Sequence, residues 1–114
     1  MNDCIFCKIA AGEIPCTSVF EDERALAFRD INPQAPVHVL VIPRKHYKNL
    51  TALDASDHDL MRHLLHVANV VAIEEGIAMD GYRVAVNCGL QGGQVVQHVH
   101  FHVLGGRQLS GELG

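Results

Sequence analysis

The chain has 114 residues, 48% of them hydrophobic and 19% charged, with a formal net charge of −4. That length suits one domain with a real core, and that balance excludes the disordered and fibrous classes. No run approaches the roughly 18 apolar residues of a membrane-spanning helix, and the negative charge disfavours a nucleic-acid backbone as partner.

The opening Met1-Asn2-Asp3-Cys4 carries no basic leader, so the expectation is a cytoplasmic protein with one domain over residues 1–114. Cys4 to Ala11 reads as a short helix stopped by Gly12. Thr17 to Glu21 and Ala25 to Asp30 read as strands joined by an acidic hairpin turn. Asn32-Pro33-Gln34-Ala35-Pro36 is a rigid loop, because each proline fixes its own φ and restrains the residue before it. Val37 to Ile42 is a strand that should end at Pro43.

A long helix follows, with Ser56 and Asp59 as its capping box and Gly76 as its stop. Leu60, Leu64, Val67, Ala68 and Val71 form its apolar stripe. Tyr82 to Cys88 and Val95 to Leu104 are the last strands, separated by Gly89-Leu90-Gln91-Gly92-Gly93. Strands in groups without regular βαβ alternation indicate α+β with an antiparallel sheet.

Eight histidines and four cysteines are many for this length. His98-Val99-His100-Phe101-His102-Val103 alternates strictly, which on a strand puts three imidazoles on one face and the core contacts on the other. Same-face neighbours on a strand lie roughly 7 Å apart, so one ion cannot easily bind all three. Three separate jobs fit better. With an ordinary pKa of about 6.5, imidazole is mostly neutral at pH 7 and can attack an electrophile. Its covalent adduct can then break down. The glycine-rich loop supplies backbone N–H groups for a phosphate, and Asn87 and Gln94 are nearby neutral donors.

Cys4 and Cys7 have metal-knuckle spacing, with buried small hydrophobes or a redox pair as competing readings. Cys16 and Cys88 read as packing residues. His58, His63 and His66 read as a solvated helix face.

The run from His98 to Leu104 resembles the signature of the histidine triad superfamily. The resemblance extends over nearly the whole chain, through Cys4-Ile5-Phe6-Cys7-Lys8-Ile9, Glu13-Ile14-Pro15, Ala27 to Ile31, Pro33 to Pro36, Val41-Ile42-Pro43, Gly92-Gly93-Gln94 and Gly105-Gly106-Arg107. These segments are similar to the nucleotide-binding branch of that superfamily. The resemblance implies a five-stranded antiparallel sheet with one long and one short helix, joined into a ten-stranded sheet in a homodimer.

It also implies hydrolysis or transfer at the α-phosphate of a purine nucleotide (AMP- or GMP-type), such as a nucleoside phosphoramidate, through a nucleotidyl-histidine intermediate. His100 would be the nucleophile, His102 would bond the phosphate, and His38 would join the relay. Asn87, Gly93, Gln94 and the backbone N–H of Val95 would line the phosphate and leaving-group side. Asp30 would hold the ribose, and Phe6, Ile9, Phe28, Ile31 and Leu40 would sandwich the base. Cys4, Cys7, His46 and His98 would hold one structural zinc ion, leaving the chemistry itself metal-free.

Many members carry Ser or Glu where this chain has Val95, which removes a side-chain contact to the leaving group. Two other functions stand beside the first: hydrolysis of dinucleoside polyphosphates, as in another branch of the superfamily, and, because of Val95, a catalytically weak nucleotide-binding regulatory module. Against the former, the short tail after Gly105 matches the nucleotide-binding branch.

Overall fold

The structure, a computed structural model, describes residues 3–113; Met1, Asn2 and Gly114 lie outside them. Among the described residues, five strands form one antiparallel sheet in the order β1-β2-β3-β5-β4. In chain order the elements are α1 (Ile5–Ala10), β1 (Ser18–Glu21), β2 (Ala25–Arg29), β3 (Val37–Pro43), α2 (His58–Glu74), β4 (Tyr82–Val86) and β5 (Phe101–Gly105). Two 3-10 turns, Leu50–Ala52 and Ala55–Asp57, lead into α2. The α+β reading and the antiparallel sheet hold.

Strand alternation divides the core in two. Ala25, Ala27, Val39, Val41, Val99, Phe101 and Val103 pack under Leu64, Val67, Ala68, Val71 and Ala72 of α2. The residues between them in sequence, Leu26, Phe28, Leu40 and Ile42, face the other way and bury Phe6 of α1. The apolar stripe expected for α2 is thus its buried face, with Leu60 half-buried at its start. The sheet lies between a long helix on one face and a single short helix on the other. His102 pairs with Leu40 across β3 and β5, so the histidines belong to the α1 face.

Several boundaries differ from expectation for local reasons. β3 runs through Pro43, which sits at the last ladder position opposite Ala25, where a missing N–H is tolerated. The Ser56–Asp59 box does not form: α2 starts after Asp57 with no side-chain cap bond, and the capping box present, Asp54 with Asp57, closes the 3-10 turn before it. Asp54 Oδ1 accepts from both the amide and the hydroxyl of Ser56, so that hydroxyl is already engaged. Asp57 in turn accepts from the Asp54 amide and from Tyr47 Oη.

The largest correction concerns β5, which begins at Phe101 rather than Val95. One neighbour runs out there: Val86, the last residue of β4, pairs with Phe101, whereas β3 continues two residues past its own Phe101 partner, Val41, paired only with β2. Beyond that point the Val99 amide donates instead to the Tyr47 carbonyl. His98 and His100 therefore precede the regular strand, although the facing alternation persists, since Val99, Phe101 and Val103 all reach the α2 core.

Candidate active site and metal centre

Each triad histidine has a different set of partners. His98 is fully buried, and its Nε2–H donates to the Pro43 carbonyl at 2.8 Å. The lone pair is then on Nδ1, which faces Cys4 Sγ at 3.2 Å, Cys7 Sγ at 3.5 Å and His46 Nδ1 at 3.2 Å. Cys7 Sγ lies 3.4 Å from His46 Nδ1, and the four ligand atoms are all within 4.8 Å of one another. A tetrahedral ion with ordinary Zn–N and Zn–S bonds has edges of about 3.3 Å between nitrogens and about 3.5 Å between nitrogen and sulfur. The donor set fits a four-coordinate metal, and burial, by pushing the His98 pKa down, keeps that ring neutral as a ligand must be.

Local folding explains this convergence. Cys4 is the N-cap of α1 and Cys7 lies one turn on, with the Cys7 amide donating to Cys4 Sγ. His46 follows the end of β3, whose Pro43 carbonyl orients His98. The Arg44 guanidinium meanwhile holds the other end of α1 through the Ala10 carbonyl at 2.8 Å, and also bonds the Asp22 carbonyl. Sequence reasoning missed Arg44, since an arginine after a strand-ending proline carries no recognisable signature.

His100 is held by the same segment. Its Nδ1–H donates to the His98 carbonyl at 2.7 Å, so Nε2 carries the lone pair. Burial lowers its pKa, with Asp30 and the His98 carbonyl opposing, so the ring is neutral at pH 7. Phe6 meets His100 edge-on at 5.1 Å and also touches His98, which places α1 over both rings. His102 lies beside His100, with ring centroids 5.0 Å apart, and bonds His38 Nε2 through Nδ1 at 2.9 Å. Burial, followed by the neighbouring His100 and His38, pushes the His102 pKa down to about 4. Asp30 Oδ2 is 3.4 Å from His38 Nε2, which brings the carboxylate to the same cluster.

The glycine-rich loop is more self-contained than expected. The amides of Gly93 and Gln94 donate to the Leu90 and Gly89 carbonyls, and the Gly89 amide donates to Gln94 Oε1. These amides are spent within the loop and form no open nest. Both donors of the buried Gln94 amide are likewise used, on the Lys48 and Val96 carbonyls, so Gln94 braces the loop rather than reaching for a phosphate. Asn87 gives one N–H to the Gly92 carbonyl and keeps the other. Gly93 has φ +80°, and a Cβ there would crowd Asn87 Nδ2 at 3.3 Å, so glycine sets the Asn87 position. Val95 is 87% exposed beside a cleft of about 500 Å³ lined by Cys4, His46, Lys48 and Val96.

Of the expected base-binding residues, Phe6, Phe28 and Leu40 bury one another, with Ile9 packed against them. Ile31 stands apart, 99% exposed just after Asp30. His63 is not an idle surface residue: its Nε2 bonds Asp22 Oδ2 at 2.6 Å and ties α2 to the β1–β2 turn. Cys88 Sγ lies 3.3 Å from the Thr51 hydroxyl.

The HIT domain family model matches residues 11–109. The chain belongs to the HIT domain family. It is 53% identical over 109 residues to the 14 kDa zinc-binding protein of Zea mays, covering 93% of this chain and 84% of that one. It is 49% identical over 109 residues to Adenylylsulfatase HINT1 of Arabidopsis thaliana, covering 93% of this chain and 73% of the other. The HIT family hydrolase of Legionella pneumophila superposes with a TM-score of 0.96 at 49% identity, over 98% of this chain and all of that one.

Proposed function

We propose that the protein is a nucleotidyl hydrolase or transferase acting at the α-phosphate of purine nucleoside phosphoramidates or related nucleotides. The observation that carries this reading is the His100 tautomer, with Nδ1–H committed to the His98 carbonyl and the Nε2 lone pair left for attack. His100 Nε2 forms a bond to phosphorus as the bond to the leaving group breaks. Water then cleaves the nucleotidyl-imidazolium, which leaves readily because the ring is already protonated at Nδ1. His102 bonds a phosphate oxygen, with His38 behind it, while Asn87 and the Val95 amide line the leaving-group side. Asp30 takes the ribose hydroxyls, as a carboxylate accepting from two O–H groups can. Phe6, Ile9, Phe28 and Leu40 form the apolar floor for the base, and the exposed Ile31 covers it from outside that cluster. The name of the Arabidopsis relative supports the electrophile, because an adenylyl group is what such an attack requires.

Cys4, Cys7, His46 and His98 hold one zinc ion in this reading, and the name of the Zea mays relative supports that choice of metal. When bound, the ion fills its coordination with protein ligands and serves structure, pinning α1 over the catalytic rings. The chain acts as a single cytoplasmic HIT domain that pairs with a second copy through β4. That strand is an edge of the sheet, and the exposed Leu65, Ile73 and Val84 on α2 and β4 would be covered. Among the described residues, no helix is long and apolar enough to cross a membrane.

The test is AMP release from adenosine 5′-phosphoramidate by wild type and His100→Ala. Turnover in the former alone is expected, and equal rates would refute the assignment. The exposed Val95, which offers no polar side chain at the end of the loop, favours one alternative, the weak nucleotide-binding module. Tight AMP binding with no turnover in wild type would select it.

A further inference from the structure

Asp30, His38 and His102 form a second group whose ligand atoms lie within 4.8 Å of one another, a spacing that alone would suit a metal ion. The hydrogen bonds decide otherwise. The backbone N–H of Gln34 donates to His38 Nδ1 at 3.0 Å. An accepting imidazole nitrogen carries the lone pair, so the proton of the neutral ring is on Nε2. That nitrogen lies 2.9 Å from His102 Nδ1 and 3.4 Å from Asp30 Oδ2. His38 therefore donates, His102 Nδ1 accepts, and the proton of His102 is left on Nε2.

We infer that the Gln34 amide is the tautomer lock of a one-way donor chain, from Gln34 N–H through His38 to His102, which presents an N–H to the substrate phosphate. Gln34 is a positioning residue, and only the last link of the chain rests on the hydrolase reading above. The lock also excludes metal from this cluster. An ion here would need the Nε2 lone pair of His38, which would force a proton onto Nδ1 against the Gln34 N–H.

A second set of contacts holds the lock in place. Gln34 sits in the proline-flanked loop between β2 and β3, and its carbonyl accepts from Arg107 Nη2 at 2.9 Å. Arg107 belongs to the segment leaving β5, which crosses the loop at Gly106. There φ is +92° and a Cβ would come within 2.9 Å of Pro36 Cβ, so this close approach requires glycine. The C-terminal segment clamps the loop from outside while the loop amide orients His38 inside. Burial lowers the pKa of both His38 and His102, which keeps both rings in the neutral form that a tautomer lock needs.

The test is a long-range proton–nitrogen correlation spectrum of the full chain, labelled with 15N-histidine and loaded with zinc, near pH 7.5. His38 and His102 are expected with Nε2 protonated and Nδ1 bare, and zinc titration is expected to saturate at one ion per chain. A His38 protonated on Nδ1, or a second tight zinc ion that shifts its resonances, would overturn the lock. Arg107→Met is expected to lower kcat about tenfold, the scale of one neutral hydrogen bond, with KM within about twofold and mixed His38 tautomers. Arg107→Lys is expected to recover most of that loss. A fall in kcat with the His38 tautomer intact would overturn the clamp. Correct tautomers in a protein that releases no AMP would refute the hydrolase reading and leave the lock standing. Turnover with reversed tautomers would do the opposite.

Discussion

Mild acid should destabilise this fold well above the pH at which carboxylates titrate. His102 is the worked case, since its pKa falls from an ordinary 6.5 to about 4 in the folded chain, chiefly through burial. Below 6.5 the unfolded chain takes up a proton that the folded chain resists until about pH 4. The stabilisation is therefore complete above 6.5 and lost as pH falls toward the folded value. At 1.36 kcal/mol per unit, the whole window amounts to about 3 kcal/mol, of which about 2 kcal/mol is gone by pH 5. His38 and His100 are shifted the same way by burial and add to the decline. Urea unfolding at half-unit steps from pH 8 to 5 measures it, with m followed to confirm that the transition itself is unchanged. His102→Gln should flatten the curve by about 2 kcal/mol between pH 7 and 5. A wild-type stability independent of pH in that range, or an unaltered slope in His102→Gln, would refute the reasoning.

Asp22 governs a lower window. Burial alone would raise its pKa, but the amides of Arg24 and Ala25 and the His63 ring prevail and hold it below the usual carboxylate value. Its stabilisation should persist above about pH 4 and fade below it, and Asp22→Asn should remove that acid limb in the same urea series. Leu64→Ala, at a fully buried position under the sheet, should cost roughly 3–5 kcal/mol, whereas Arg29→Ala, which breaks an exposed pair with Glu75, should cost less than about 1 kcal/mol. Chelation of the zinc-loaded protein should release one ion per chain and lower Tm. Cys7→Ser should match the chelated wild type, and an unchanged Tm would argue against a structural ion.

Much of the site was legible because chemistry and periodicity agreed there. Alternation of histidine with Val, Phe and Val is visible in the sequence, and the same alternation divides the two halves of the core. The Cys4-Cys7 spacing likewise marks one end of the Cys4, Cys7, His46 and His98 cluster. What the sequence did not reveal depends on where backbone hydrogen bonds go. The start of β5 coincides with the end of β4 and with the turn of the Val99 amide to Tyr47, tertiary limits that no local pattern encodes. The Gly89–Gly93 loop reads as an open nest, yet the Gly93 and Gln94 amides turn back on the Leu90 and Gly89 carbonyls and the Gly89 amide is taken by the Gln94 side chain. Asp54 instead caps the 3-10 turn that contains Ser56 and takes both the Ser56 amide and hydroxyl, so that hydroxyl is not left to cap α2. His63 and Arg44 act across long sequence separations, the first on the Asp22 carboxylate and the second on the Asp22 and Ala10 carbonyls, and such pairs leave no trace in composition or spacing.

The central claim is that His100 Nε2 attacks the α-phosphorus. Rapid quenching of wild type with adenosine 5′-phosphoramidate, followed by intact mass and peptide mapping, tests it most directly. The expected result is one transient adenylyl group per chain, mapped to His100 and absent from His100→Ala. Steady turnover with no adduct, or an adduct mapped to any other residue, would contradict the account.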